Sequence, residues 1–350
     1  MTVRDLLSSF SGWREERKPL VLASVYDTEG STYSKAGARM LISGDGTFQG
    51  MLSGGCLEGD LAERALEVLA SGTPQSVTYD LGKNDEELWG LGVGCDGLMR
   101  IFLQPLLPNE DFQPFPAIAG VLASDSQGIA ATVLSSAHEA LAAGATQVLH
   151  DGVTASFGIP DEHRGTFLRE AETAAEQEKS CTREIDIDGR AVTVLFAQLV
   201  PPPKLLILGA GLDALPVLRL ATELGWRATV QDHRPAYIER GGFAQAERVL
   251  CVPPVDLPEN VSLDRYDGAI VMSHHLATDR KYLAMLAGSR VPYIGLLGPR
   301  DRRKRLMQDL GELALRLEHR LHGPAGFDIG ADGPASIALS ILAEMHAELK

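Results

Sequence analysis

The sequence predicts an α/β protein: an amino-terminal α+β region with the pattern of an internal duplication, followed by a doubly wound parallel sheet. Two short segments predict the duplication. Gly37 to Thr47 and Gly144 to Thr154 each read as strand, tight turn, strand, with Asp45-Gly46 and Asp151-Gly152 at the turns. Asp-Gly suits a hairpin because glycine takes a positive φ without a Cβ penalty. The parallel sheet is predicted by a third observation: after residue 204, short apolar runs alternate with helical stretches, the pattern of strands covered on both faces.

Each element follows in order. An apolar strand at 20–25 precedes the first hairpin, a helix follows at 57–70, and a strand at 99–103 ends before a proline. The second copy repeats this with a strand at 130–134, a helix at 162–178 and a strand at 192–196. Such halves could pack on one another as a pseudo-dimer. Pro201-Pro202-Pro203 then favours stiff, extended backbone and marks a boundary. The predicted division is 1–110, 111–200 (a degenerate repeat) and 204–350. In the last segment the strands fall at 204–208, 227–231, 248–252, 268–272 and 293–297, and helices at 213–224, 237–243 and 279–288.

Composition limits the function classes. The 350 residues are 45% hydrophobic and 23% charged, enough for real cores and too apolar for disorder. A net charge of −15 does not attract nucleic acid or an acidic membrane face, which need a concentrated basic patch. Four cysteines without a close pair form neither a disulfide framework nor a zinc ribbon. No apolar stretch reaches the ~18 residues of a membrane span, and the polar, amphipathic start carries no signal-peptide core. A cytoplasmic protein is expected, and a homodimer is the expected assembly because two-fold pairs are the commonest oligomers.

Gly209-Ala210-Gly211-Leu212-Asp213-Ala214 follows the first strand of the last segment and opens a helix. In this GxGxxA turn Gly209 makes the bend, Gly211 lets a diphosphate approach, and Ala214 allows close helix packing. Asp232 ends the next strand, where a carboxylate binds a ribose hydroxyl. Strand, turn, helix and acid together predict a Rossmann fold. NAD(P) binding is a separate question, because Asp213 sits where the diphosphate would lie. It either caps the helix or competes with an anionic ligand. Topology brings His233, Arg234, His274, Gly298, Arg300 and His322 to the same strand ends. The run Arg300 to Arg305 is either a solvated helix face or a site for a phosphate or partner protein.

Two glycine loops carry cysteines. Ser53-Gly54-Gly55-Cys56 leads into a helix, where successive amides form an anion nest and a cysteine thiolate is stabilised. Cys56 is therefore a candidate nucleophile, sulfur donor or soft-metal ligand. Cys95 lies among Gly90, Gly92, Gly94 and Gly97, and thiolates suit soft metals. Both are also readable as small, inert residues packed in tight turns, Cys95 the more so. Cys181 and Cys251 lack glycine neighbours and read as structural. The second half has neither loop, so it serves as the internal control for the first.

Val25 to Tyr33, Gly37 to Met40, Ser53 to Asp60 and Gly92 to Gly97 resemble the amino-terminal domain of the XdhC/CoxI family. Gly209 to Pro216, Asp232 to Pro235, Tyr293 to Arg300 and His322 to Gly330 resemble its carboxy-terminal Rossmann domain. Nearly the whole chain is covered, with the motifs in order. Leu212 departs from the pattern, standing where members often have histidine. The resemblance implies an accessory chaperone that binds molybdenum cofactor, assists its sulfuration with a cysteine desulfurase, and delivers it to a molybdenum hydroxylase apoenzyme such as xanthine dehydrogenase. This cargo, a phosphate-bearing pterin with a sulfur-ligated metal, suits glycine nests, cleft histidines and arginines, and a thiolate. It is expected where the cysteine loops and the nucleotide fold share a ligand. Two other readings stand beside it: an NAD(P)-dependent oxidoreductase, and a sulfur-transfer enzyme with persulfide on Cys56.

Overall fold

The computed structural model describes residues 2–80, 97–177 and 179–349. The chain divides into two compact units, one ending at Pro201 and the other beginning at Pro202. Cys95 and the glycines at 90, 92 and 94 lie outside the described residues.

Among the described residues, the first unit holds two five-stranded antiparallel sheets of the same topology. After helix α1 (Val3–Glu15), the first sheet comprises β1 (Leu20–Gly30), β2 (Arg39–Ser43), β3 (Phe48–Gln49), β4 (Gln75–Asp80) and β5 (Gly97–Leu106), with α2 (Glu58–Ser71) between β3 and β4. The second comprises β6 (Gly128–Ser136), β7 (Thr146–His150), β8 (Val153–Phe157), β9 (Cys181–Ile187) and β10 (Arg190–Leu199). Helix α3 (Phe115–Leu122) precedes β6, and α4 (Asp161–Ala175) lies between β8 and β9. The spatial orders, β3-β2-β1-β5-β4 and β8-β7-β6-β10-β9, correspond strand for strand. The correspondence extends to single hydrogen bonds. Val25 donates to the Ala38 carbonyl and receives from the Gly37 amide; Val133 and Ala145 with Gly144 repeat the pattern.

Period-two alternation explains the layering. On β1, Val21, Ala23 and Val25 face α2, while Leu20 and Leu22 face the other way and join Ala130, Val148 and Leu199 of the second sheet in one core. On β10, Val192, Val194 and Phe196 belong with Phe167 and Ala171 of α4, while Leu195 and Ala197 pack with Phe102 of the first sheet. The order of layers is thus helix, sheet, sheet, helix. The packing is reciprocal. A Cβ on Gly37 would fall on the Ser180 side chain beside β9, and one on Gly144 would come 3.2 Å from Pro74 beside β4. Both glycines have φ near +90°, a conformation side chains rarely take. The sequence pattern missed β4 and β9, whose alternation is mostly polar.

The second unit is a six-stranded parallel sheet: β11 (Lys204–Leu208), β12 (Arg227–Gln231), β13 (Arg248–Leu250), β14 (Gly268–Val271), β15 (Tyr293–Leu296) and β16 (Leu321–His322). Its order, β13-β12-β11-β14-β15-β16, is that of a Rossmann fold, with its switch point between β11 and β14. The helices are α5 (Ala214–Glu223), α6 (Pro235–Glu239), α7 (Leu257–Asn260), α8 (Leu276–Ala287), α9 (Arg300–Leu310) and α10 (Pro334–Glu348). One core lies under α5 and α10 and another under α8 and α9. Helix α6 sits earlier than the predicted 237–243. Pro235 starts it with its fixed φ, and Gly241-Gly242, both at positive φ, end the segment. Among the described residues no helix is long and apolar enough to cross a membrane.

Candidate functional site

In the second unit, a cavity of about 970 Å³ opens at the carboxyl edge of the sheet, where this topology places ligands. The turn after β11, the loop after β14, the start of α9 and the face of α10 enclose it. Its floor is apolar, from Val217, Met272, Ile337 and Ile341, and Leu212, Phe327 and Ile329 are exposed at its rim. Of the predicted residues, Gly211, Asp213, His274, Gly298 and Arg300 line this one cavity.

The glycine turn forms because β11 must bend sharply into α5. Gly209 has φ +132°, and a Cβ there would lie 2.5 Å from the Met272 carbonyl. The approach over Gly211 is occupied: a Cβ at that position would fall on Asp213 Oδ1. Asp213 makes no side-chain cap bond to α5. Its Oδ2 lies 2.7 Å from His274 Nε2 instead. His274 itself holds φ +59°, a strained value for a residue with a Cβ. Asp213 thus does not cap α5; its carboxylate lies over the glycine turn, paired with His274.

Asp232 is fully buried at the end of β12. The Ala210 amide donates to its Oδ2 (2.9 Å), and the Arg234 amide and Nε donate to Oδ1 (both 2.9 Å). Arg234 Nη2 adds a second bond to Oδ2 at 2.7 Å. Burial works to raise the pKa of Asp232, and the Arg234 hydrogen bonds with the two amides outweigh it, holding the carboxyl below its ordinary range. Arg234 also covers the Tyr237 ring at 3.6 Å. Both carboxylate oxygens thus serve the fold. His233 lies beside the pair, its Nδ1 3.5 Å from Asp232 Oδ1. His322 stacks on Tyr293 with its Nδ1 3.6 Å from Glu344 Oε1. Neither lines the cavity.

Gly298 has φ +127° and makes room for the Arg302 stem. Arg302 Nη2 reaches the buried Asp279 at 2.6 Å, and Asp279 also accepts from Ser273 Oγ. Glu344 accepts from Tyr293 Oη (2.7 Å) and from the Gly326 amide (2.8 Å), which fastens the loop that walls the cavity. The sequence reading missed Asp279 and Glu344. Each sits on a helix with apolar neighbours, which was the available signal.

In the first unit, Gly54 and Gly55 take φ +83° and +113°, and the loop 52–55 does form an anion nest. Its anion is the chain's own. The Leu52 and Ser53 amides donate to Glu58 Oε1 at 2.8 and 2.9 Å. Ser53 Oγ and the Gly55 amide donate to Oε2 at 2.6 and 2.9 Å. Glu58 is 3% exposed. Burial raises its pKa, and the Ser53 and Leu52 hydrogen bonds prevail and lower it. Cys56 stands exposed on this fixed loop, just before α2.

Comparison with known proteins follows the same division. Residues 13–80 match the model of the XdhC and CoxI family, and residues 205–345 match the XdhC Rossmann domain. The chain is 28% identical over 331 residues to a protein of Bacillus subtilis (strain 168) named as a probable subunit of xanthine dehydrogenase, covering 95% of this chain and 93% of the relative. It is 22% identical over 330 residues to the molybdenum cofactor insertion chaperone PaoD of Escherichia coli (strain K12), covering 94% of this chain and 83% of the relative. A crystal structure described as a xanthine dehydrogenase from Bacillus halodurans superposes with a TM-score of 0.80 at 29% identity, covering 100% of this chain and 96% of that one.

Proposed function

Because the chain belongs to the XdhC and CoxI family, we propose that it is an accessory protein of a molybdenum hydroxylase that carries molybdenum cofactor as cargo. On this reading it holds the cofactor during sulfuration by a cysteine desulfurase and passes it to an apoenzyme of the xanthine dehydrogenase kind. It works in the cytoplasm as a homodimer. Residues 1–110 and 111–200 are two copies of one module, ahead of the nucleotide fold at 204–350.

One observation carries the proposal. The large cavity at the sheet edge is walled by apolar groups, and its glycine turn is screened by a carboxylate. A dinucleotide needs its diphosphate over Gly211 and its ribose on Asp232. Asp213 stands in the first place and Arg234 holds the second. A bulky ring ligand needs neither. This geometry favours cofactor cargo over NAD(P)-dependent oxidoreduction. The exposed Cys56, on a loop fixed by Glu58, supports a sulfur-carrying role as the second reading.

The test mixes purified protein with molybdenum cofactor, removes free ligand by ultrafiltration and measures retained pterin. Wild type retains pterin and Gly211→Asp loses most of it. No retention by wild type overturns the proposal. A Cys56→Ala variant that retains cargo but no longer supports its sulfuration supports the second reading.

A further inference from the structure

The cavity's glycine end repels an anion, yet the proposed cargo carries a phosphate. The structure offers a different place for it. A groove of about 830 Å³ adjoins the first cavity and shares Arg300 and Pro324 with it. Its cations are Arg300, Arg303 and Lys304, all from the first turns of α9. Asp301 and Glu318 also line it. In a chain with net charge −15, cations would ordinarily be paired. Nearby Arg302 is bound to Asp279, and Arg320 is spent on the Val291 and Leu286 carbonyls. Arg300, Arg303 and Lys304 form no ion pair among the described residues. Arg303 Nε is moreover buried with no hydrogen-bond partner among the described residues, so this guanidinium is not spent on the fold as those of Arg302 and Arg320 are. Gly323 lets the Arg303 stem lie flat, since a Cβ there would come 2.9 Å from Arg303 Cδ. The start of α9 adds the positive end of its helix to the same groove.

We infer that this groove binds a phosphate monoester, with Arg303 and Lys304 as its principal ligands and Arg300 bridging to the apolar cavity. The owner of that phosphate is the cargo only if the carrier reading holds; the anion site itself stands on the groove. A ligand placed this way has its ring system in the apolar cavity and its phosphate at α9, reversed relative to a dinucleotide on a glycine turn.

The experiment uses the full-length protein and three probes: inorganic phosphate followed by 31P NMR titration at low salt, molybdenum cofactor in the ultrafiltration assay, and 6-hydroxymethylpterin, which lacks phosphate. Wild type is compared with Arg303→Gln/Lys304→Gln, with Arg303→Lys and with Asp213→Ala. The double variant weakens phosphate and cofactor binding by about tenfold to a hundredfold, the range for lost charge-assisted hydrogen bonds. It leaves hydroxymethylpterin binding unchanged. Arg303→Lys restores part of the phosphate affinity, and Asp213→Ala does not lower it. Equal phosphate affinity in wild type and the double variant overturns the site. Equal cofactor retention by both overturns its use for cargo while leaving the carrier reading intact. Phosphate binding through these residues with no cofactor retained by wild type overturns the carrier reading instead. If the double variant melts early, the exposed Lys304→Gln alone must still lower phosphate affinity severalfold.

Discussion

Glu58 shows how one side chain can fix a functional loop. It accepts three amide hydrogen bonds and one hydroxyl bond inside the first unit. Glu58→Gln turns an acceptor oxygen into a donor facing N–H groups, and is expected to cost about 2–3 kcal/mol, read as a lower urea midpoint. The pH dependence has a definite direction. The folded pKa of Glu58 is depressed, so its contribution is complete above the unfolded value of about 4.3 and is lost as pH falls through the folded one. Asp232 behaves alike. Melts from pH 6 to pH 3 will show wild type losing more stability than Glu58→Gln. His274 makes the opposite case. Its strained φ of +59° costs about 1 kcal/mol, while its exposed pair with Asp213 contributes little. His274→Gly is expected to melt within about 1 kcal/mol of wild type yet retain less cofactor by ultrafiltration. In the sequence, Glu58 reads only as an acid at a helix start, so the nest was legible and its occupant was not. Asp232 was legible as an acid at a strand end, but its capture by Arg234 depends on a side chain folding back two residues, which no spacing rule encodes.

At the level of elements, legibility followed hydrophobic contrast. Strands β11, β12, β14 and β15 are buried on both faces and stand out as apolar runs. Strand β4 buries only Val77 and Tyr79, so its one-sided alternation is too weak to notice; β16 has two residues. The Asp151-Gly152 turn, with φ of +48° and +73°, is the two-residue hairpin its dipeptide predicts. Glycine substitutions separate backbone cost from packing cost. Gly152→Ala meets open space and should cost about 1 kcal/mol for the positive φ alone. Gly144→Ala adds a 3.2 Å approach to Pro74, and Gly37→Ala a collision with Ser180. Both should exceed about 2 kcal/mol, with Gly37→Ala the larger. Urea midpoints of the three variants give the order directly.

Across the whole molecule, the two units hold separate cores. The residues under α5, α8, α9 and α10 form clusters that draw only on the second unit. A fragment spanning 202–350 should therefore melt cooperatively by circular dichroism on its own; a sloping, non-cooperative trace would contradict it. The first unit is different, because its middle core takes residues from both sheets, and neither half should be stable alone. That reciprocal seam, in which each half receives a residue of the other at a glycine, has the form of a two-fold contact between identical subunits. Because both halves lie in one polypeptide, the seam is closed at a fixed one-to-one ratio. The face that each half buries against the other is therefore not on offer to a second chain, and any pairing of two chains has to be built from different ground.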